Sequence, residues 1–427
     1  MSGGGGALGD EEVTRLLVGV EEADAEVARD WPGVPATRQP VQVLYVPLDR
    51  VHPRTARRYG TAALRLLEAH APDGEVLARA CGLVLEPALA ERVHTRVVAK
   101  LEDEPVEDLR CDAEDGYLGR SAETEARDAT AAAASVAAAI ADGDAPPFVG
   151  IRVKSFSDGL ARRSVATLDR FLATLLDAAG ELPDGFVVTF PKIVAVEHVA
   201  AFARVLAALE EAHGLPERRL RFEAQIETTP SVLGPDGRVA LRDIRDVADG
   251  RLCAVHVGVY DYSAGLGLPP TEQRLDHPAL DFARHLLQTT FAGTEVRLSD
   301  GSTNVVPADD STADTHRAWA RHAADVRHSL RHGFVQGWDL HPAHLVSRYA
   351  VVFADLLAGI DDALDRLARW DAGEAGGGVM DEPATIRTLE AAVQRAVDCG
   401  AIGPDEVRRR SGRTVSPRPI VQRATDR

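Results

Sequence analysis

RFEAQIETTPSVL, residues 221–233, is the stretch on which the fold turns. Phe222, Ala224 and Ile226 alternate with Glu223, Gln225 and Glu227, the period of two that marks a strand with unlike faces. An edge strand facing water tolerates such a face. A strand inside a parallel sheet does not, unless each carboxylate meets a partner. The strands on either side decide between the two.

Working outward, strand-like runs alternate with helical runs from about residue 41 to about residue 360. The runs begin at Val41 (VQVLYVP), Val106 (VEDLRCDAED), Phe148 (FVGIRVKSF), Gly185 (GFVVTFPKI), Arg221, Leu252 (LCAVHVGVYD), Glu295 (EVRLSD) and Gly333 (GFVQGWDLHP). Segments such as SVATLDRFLATLLDAAG between them carry apolar residues at helical spacing and end near Gly. Eight strands, most followed by a helix, are the count of a (β/α)8 TIM barrel. A doubly wound sheet is the rival, but YVPLDRVHPRTA after the first strand is no Gly-rich phosphate loop. The reading is therefore an α/β chain with a helical extension over 1–40, a barrel over 41–370, and a linker, helical appendage and disordered tail over 371–427. TRVVAKL, before the second strand, reads as either an extra strand or a helix end.

Composition narrows the partners. The formal net charge of -18 repels nucleic acid and anionic membranes. The N-terminus has no basic and apolar leader, and no stretch reads as a membrane span, so a cytoplasmic location is expected. The four cysteines lack the spacing of a zinc or disulfide framework and are read as reduced thiols. Lysine occurs only at 100, 154 and 192. Two of these fall at strand ends, where an Arg substitution would not serve.

A barrel places its chemistry at the C-terminal ends of its strands. The polar residues there are Glu114, Asp115, Arg152, Lys154, Lys192, Glu227, Asp261, Asp300, Asp339 and His341. So many carboxylates around one or two cations suit a hard divalent ion, and Mg2+ takes one or two carboxylates plus water and substrate oxygens. Glu227 and Asp261 are the pair expected to hold it. The plainer reading makes Asp300 and Asp339 caps of the following helices and His341 a loop anchor before Pro342.

The order of motifs resembles the HpcH/HpaI aldolase and citrate lyase beta-subunit family of the phosphoenolpyruvate/pyruvate-domain superfamily. CDAEDGYLGRSAETEARDA, GIRVKSF, FPKI, AQIETTPSVL, VGVYDYSAGLG and GFVQGWDLHPAHL follow that family's sequence of segments over about 300 residues. The resemblance implies Mg2+ on Glu227 and Asp261, Arg152 on a substrate oxo or enolate oxygen, and Glu114 with Asp115 ordering the ion's waters. It also implies an oxoacid or acyl-CoA substrate and a homo-oligomer; the residues expected to contact the substrate are Arg152, Lys154, Lys192 and Glu114. Lys154 stands where the family has Asn, Gly337-Trp338 lack its Lys, and Tyr260 and Tyr262 flank Asp261, changes on the substrate and CoA side.

The expected activity is aldol-type cleavage or formation of a carbon–carbon bond beside a carboxylate. Its base is open among Asp115, His341, a metal-bound water and a side chain from a neighbouring subunit. Alternatives are a Schiff base on Lys192 or Lys154, phosphoryl transfer on an enolate, and a barrel that binds a metabolite without turnover.

Overall fold

The computed structural model describes residues 8–33, 35–373 and 382–421. Eight parallel strands close a barrel in chain order: β1 Gln42–Pro47, β2 Asp108–Asp112, β3 Phe148–Arg152, β4 Gly185–Phe190, β5 Arg221–Ile226, β6 Leu252–Val257, β7 Arg297–Ser302 and β8 Gln336–Asp339. β8 returns to β1 through Val43↔Trp338, so no edge is left open. The TIM-barrel expectation holds. TRVVAKL lies in the helix Pro87–Asp103 and adds no strand.

The main apolar core lies between strands and helices, on the outward faces of Val149, Ile151, Val188, Phe222, Ala224 and Val255. The lumen carries a separate small apolar group of Val43, Tyr45 and Trp338. Beside it is a buried polar network. Arg110 grips Asp108, donates from Nη2 to Glu223 Oε1 at 2.7 Å and from Nε to Thr189 Oγ1 at 3.1 Å. Glu223 then meets His256 Nε2 at 2.7 Å, and His256 Nδ1 accepts from Trp338 Nε1 at 2.7 Å. An unpaired lumen charge would cost several kcal/mol, on the order of 3–5 when one partner of a buried pair is deleted. Here Glu223 has partners on both sides, which is how β5 carries a charged face inside a closed sheet.

The extension is helical in two pieces, Asp10–Leu16 and Val20–Asp30, with Gly19 at φ +87 breaking the run between them. Pro342–Ala358 and Ile360–Asp371 contain a run long and apolar enough to cross a bilayer, against the sequence reading. That run is 78% buried, and the helix Pro342–Ala358 supplies core side chains from Leu345 to Leu357.

Most of the expected linker, 374–381, lies outside the described residues, as do 422–427 of the tail. Beyond it come the helices Pro383–Asp398 and Pro404–Ser411. Residues 412–421 of the expected tail carry no helix or strand, yet they make contacts. Arg413 pairs with Asp371 and Glu390, and Pro419 O accepts from Arg38 N at 2.9 Å, fastening the segment to the barrel's underside.

Candidate active site

β5 presents three polar side chains in sequence toward the mouth, each with a cationic partner at a different depth. Glu223 meets Arg110 at the bottom, as above. Gln225 sits in the middle, its oxygen accepting from Arg152 Nη1 and its nitrogen donating to Glu227 Oε1, each at 3.3 Å in the orientation that satisfies both ends. Glu227, 3% exposed, accepts the backbone N–H of Lys192 at 2.7 Å.

Lys192 is the centre of the site. Its φ of +48 is rare for a residue with a side chain and costs on the order of 1–3 kcal/mol. In that conformation Nζ lies 2.8 Å from Asp115 Oδ1, 2.9 Å from Asp261 Oδ2 and 3.1 Å from Glu114 Oε1. Four carboxylates, from the ends of β2, β5 and β6, therefore converge on one lysine.

Gly258, just after β6, makes room for this. A Cβ there would stand 2.1 Å from Glu227 Cβ and 2.5 Å from its Oε2.

Arg152 is held by Asp112 through two bonds, Nε to Oδ1 and Nη2 to Oδ2, both 2.7 Å. Asp112 also accepts the backbone N–H groups of Glu114 and Gly116, each at 2.9 Å, which sets the loop bearing Glu114 and Asp115. The guanidinium lies over Tyr45 at 4.9 Å and Trp338 at 5.7 Å. Nη1 is left facing Asp115 Oδ2 at 3.4 Å and Glu114 Oε2 at 3.7 Å.

Protonation follows from this crowding. Burial pushes the Glu114 carboxyl up to about 8, helped by its hydrogen bond with Asp115. Asp115 is held below the usual carboxylate range: burial opposes this, but Glu114, Arg152 and Lys192 outweigh it. Burial raises Glu227 to about 7, with Lys192 opposing and Asp261 adding to the rise. Lys192 is disfavoured by burial, yet Glu227, Glu114 and Asp115 keep it charged well above the ordinary lysine value.

Arg152, Glu114, Asp115, Lys192, Glu227 and Asp261 are thus brought together. Two expected members are not. Lys154 donates from Nζ to Ala113 O at 2.6 Å and pairs with Glu125 at 3.5 Å, because the helix after β2, Ala122–Asp142, offers that buried carboxylate. His341 caps the helix Pro342–Ala358, its Nδ1 accepting from Ala343 N at 3.1 Å. Neither is hydrogen-bonded or ion-paired to the carboxylate cluster.

Asp300 and Asp339 do not cap helices. Asp300 holds Arg284 and Ser329, and Asp339 holds Arg348 and His322, all buried outside the lumen. Tyr260, beside Asp261, has its hydroxyl on Asn304 N at 2.8 Å and so ties the loop after β7.

Sequence reasoning missed Asp112 as the clamp of Arg152, although its place two residues before Glu114 on a polar strand face was visible. The glycines of GVYDYSAGLG, Gly258 first among them, were legible as places of close backbone approach, and Trp338 only as a departure from the family's segment; Tyr45 carried no signal of its own.

Among the described residues, no three of the four mouth carboxylates have ligand atoms within 4.8 Å of one another; the sets that do lie elsewhere. A cavity of about 350 Å3 lies at the opposite end, lined by Phe148, Arg219, Arg221 and Arg297 at or near strand starts. Convergent charge rather than cavity size marks the mouth as the site.

Fold and site together define a TIM barrel with an acidic, lysine-centred mouth. Residues 20–424 match the family described as Domain of unknown function (DUF6986), and the chain belongs to that family. Over 94 residues it is 42% identical to the L-malyl-CoA/beta-methylmalyl-CoA lyase of Haloarcula marismortui, in agreement with the resemblance read from the motifs. The match covers 22% of this chain and spans 25% of that relative's length. Similar solved structures include the Haloferax volcanii malate synthase magnesium/glyoxylate complex, at 17% identity, TM-score 0.47, and 87% and 95% of the two chains. Its pyruvate/acetyl-CoA ternary complex matches at 15% identity, TM-score 0.45, and 87% and 95%.

Proposed function

We propose that the chain is a Mg2+-dependent carbon–carbon lyase or condensing enzyme acting beside the carboxylate or thioester of an oxoacid or acyl-CoA-type substrate, through an enolate. The observation that supports this reading is the convergence of Glu114, Asp115, Glu227 and Asp261 on Lys192 beside Arg152 Nη1.

The charge count favours a cation. Asp112 already offsets the charge of Arg152, so Lys192 is the one cation left to balance Asp115, Asp261 and Glu227, with Glu114 keeping its proton near neutral pH. The donors are all oxygen, as Mg2+ prefers, and one or two of them suffice when water and substrate complete the octahedron. Glu227 and Asp261 would hold the ion, with Glu114 and Asp115 toward its waters. Bound there, Mg2+ would supply Lewis-acid polarisation of a substrate oxo group.

The chain's own residues perform the rest. Arg152 presents Nη1 in a direction set by Asp112 and by the ring faces of Tyr45 and Trp338. It meets negative charge as it develops on the enolate oxygen without reorganising, a contribution of about 3–4 kcal/mol for a donor of this kind. Glu114 keeps its proton near neutral pH while Asp115 gives its own up, so Glu114 is placed to donate a proton and Asp115 to accept one. His341, committed to its helix, is dropped as the base.

The Schiff-base alternative fares poorly. A lysine held charged by several carboxylates is no nucleophile, and borohydride with pyruvate should leave no adduct on Lys192.

The test is a cleavage and condensation screen over 2-hydroxyacids, 2-oxoacids and acyl-CoA thioesters, read by release or uptake of pyruvate, glyoxylate or acetyl-CoA. Turnover should require Mg2+ and vanish in Glu227→Gln with the fold intact. Turnover that survives either EDTA or that substitution overturns the reading. Mg2+-dependent stabilisation by oxoacids with no turnover anywhere in the panel would instead favour a metabolite-binding barrel.

A further inference from the structure

On the outer surface, Asp281 and His285 stand four residues apart on the helix Pro278–Phe291. His328 and His332 stand four apart at the end of the helix Thr312–Arg331, with His332 as its C-cap. A spacing of four puts each pair on one helix face, and the faces meet. His328 Nε2 is 2.7 Å and His332 Nε2 3.7 Å from the same oxygen, Asp281 Oδ1. One ligand atom from each of the three lies within 4.8 Å of the others.

We propose that Asp281, His328 and His332 form a transition-metal site, suited first to Zn2+, that joins these two helices and is separate from the barrel mouth. Four-coordinate Zn2+ at 2.0–2.1 Å from nitrogen and oxygen ligands sets them about 3.3 Å apart, and the two separations here straddle that value. His332 is already turned for ligation. Its Nδ1 lies 2.9 Å from the carbonyl oxygen of His328, which can only accept, so Nδ1 carries the proton and Nε2 offers its lone pair.

Arg284 Nη1 touches Asp281 Oδ1 at 2.7 Å, but its Nε and Nη2 are bound to Asp300 and Leu275 O. The arginine is therefore pinned and steadies Asp281 from one side. The three ligand side chains are 20–22% exposed, which gives an ion a way in and room for a water. The ring of His285 is 5.4 Å from that of His332, within reach of the fourth position. Imidazole donors select Zn2+ and its neighbours over Mg2+, so the two sites would take different ions.

The second clustered set, His322, Asp339 and His344, makes the contrast. It is fully buried, His344 spends Nδ1 on Leu340 N and Nε2 on Val305 O, and Arg348 takes both oxygens of Asp339, whereas Arg284 bonds only Oδ1 of Asp281. No lone pair of His344 is left for a metal.

The experiment uses the full chain, stripped with EDTA and returned to buffer containing excess Mg2+. Calorimetric titration with ZnCl2 should give one ion per chain and a raised Tm, and Co2+ should give the intense visible absorption of a tetrahedral centre. His328→Ala and His332→Ala should each weaken Zn2+ binding at least about tenfold and abolish the Co2+ band, with the mouth's Mg2+ response unchanged. Should either alanine variant misfold, Asp281→Asn and His332→Gln serve in its place. Failure of the wild type to bind micromolar Zn2+, or undiminished binding in these variants, overturns the site.

Discussion

Gly258→Ala isolates the packing on which the mouth depends. Gly258 has φ -91, open to any residue, so the substitution acts through space alone. The new Cβ would lie 2.1 Å from Glu227 Cβ, 2.5 Å from Oε2 and 3.1 Å from Cδ. Ordinary carbon contacts are about 3.5–4.0 Å, so the overlap is roughly 1.5 Å. It falls at the root of the Glu227 side chain, where rotation gives no relief. Moving the backbone instead strains the Gly258 N–Ile226 O bond, 3.0 Å, that closes β6 against β5.

Overpacking of this kind costs about 1–3 kcal/mol. Losing the charge-assisted Glu227–Lys192 N–H bond adds about 1.5–3 kcal/mol. The expected loss is thus about 3–5 kcal/mol, read as a Tm lowered by several degrees in thermal unfolding. If Glu227 holds Mg2+ as proposed, displacing it by about 1 Å should cut turnover about 100-fold. Gly265→Ala is the control: it lies in the helix Val259–Gly265 with no atom within 4 Å of its added Cβ, and should be neutral or slightly stabilising. A Gly258→Ala protein with wild-type Tm and wild-type Mg2+ response would refute the steric account.

Arg152→Lys keeps a charge for Asp112 but loses the forked grip and the directed Nη1. It should lower kcat by about 100-fold or more with KM little changed, in steady-state kinetics on whichever substrate the screen identifies. Asp300→Asn breaks a fully buried pair with Arg284 away from the mouth. It should cost about 3–5 kcal/mol of stability while leaving kcat of the folded enzyme unchanged, and a selective fall in kcat would argue against its structural role.

His344 is held neutral by burial, its pKa lowered from the usual 6.5 to about 3. The unfolded chain then binds the extra proton, so the stabilisation is full above pH 6.5 and is lost as pH falls toward 3. Between pH 7.5 and 5 this amounts to about 2 kcal/mol. His344→Gln should flatten that part of the stability–pH curve, and an unchanged slope would remove His344 as its source.

The barrel was legible because its signals are local. Eight apolar runs at strand period, separated by helical runs, require only neighbours in sequence, and the alternation in β5 already demanded cations inside the sheet. The carboxylates at strand ends were legible for the same reason: a strand's last residues are its mouth residues wherever the sheet closes.

What tertiary structure alone decided was which of those groups meet. Barrel closure and register placed Arg152 on Asp112, turned Lys154 away to Glu125, gave His341 to a helix, and set Lys192 amid four carboxylates. The pairing of Asp281 with His328 and His332 likewise spans two helices separated by a strand, beyond the reach of any periodicity. A side chain's direction follows from its own backbone, whereas its partner is chosen by segments tens to hundreds of residues away, whose distance and angle are fixed only once the sheet has closed and the helices have packed upon it.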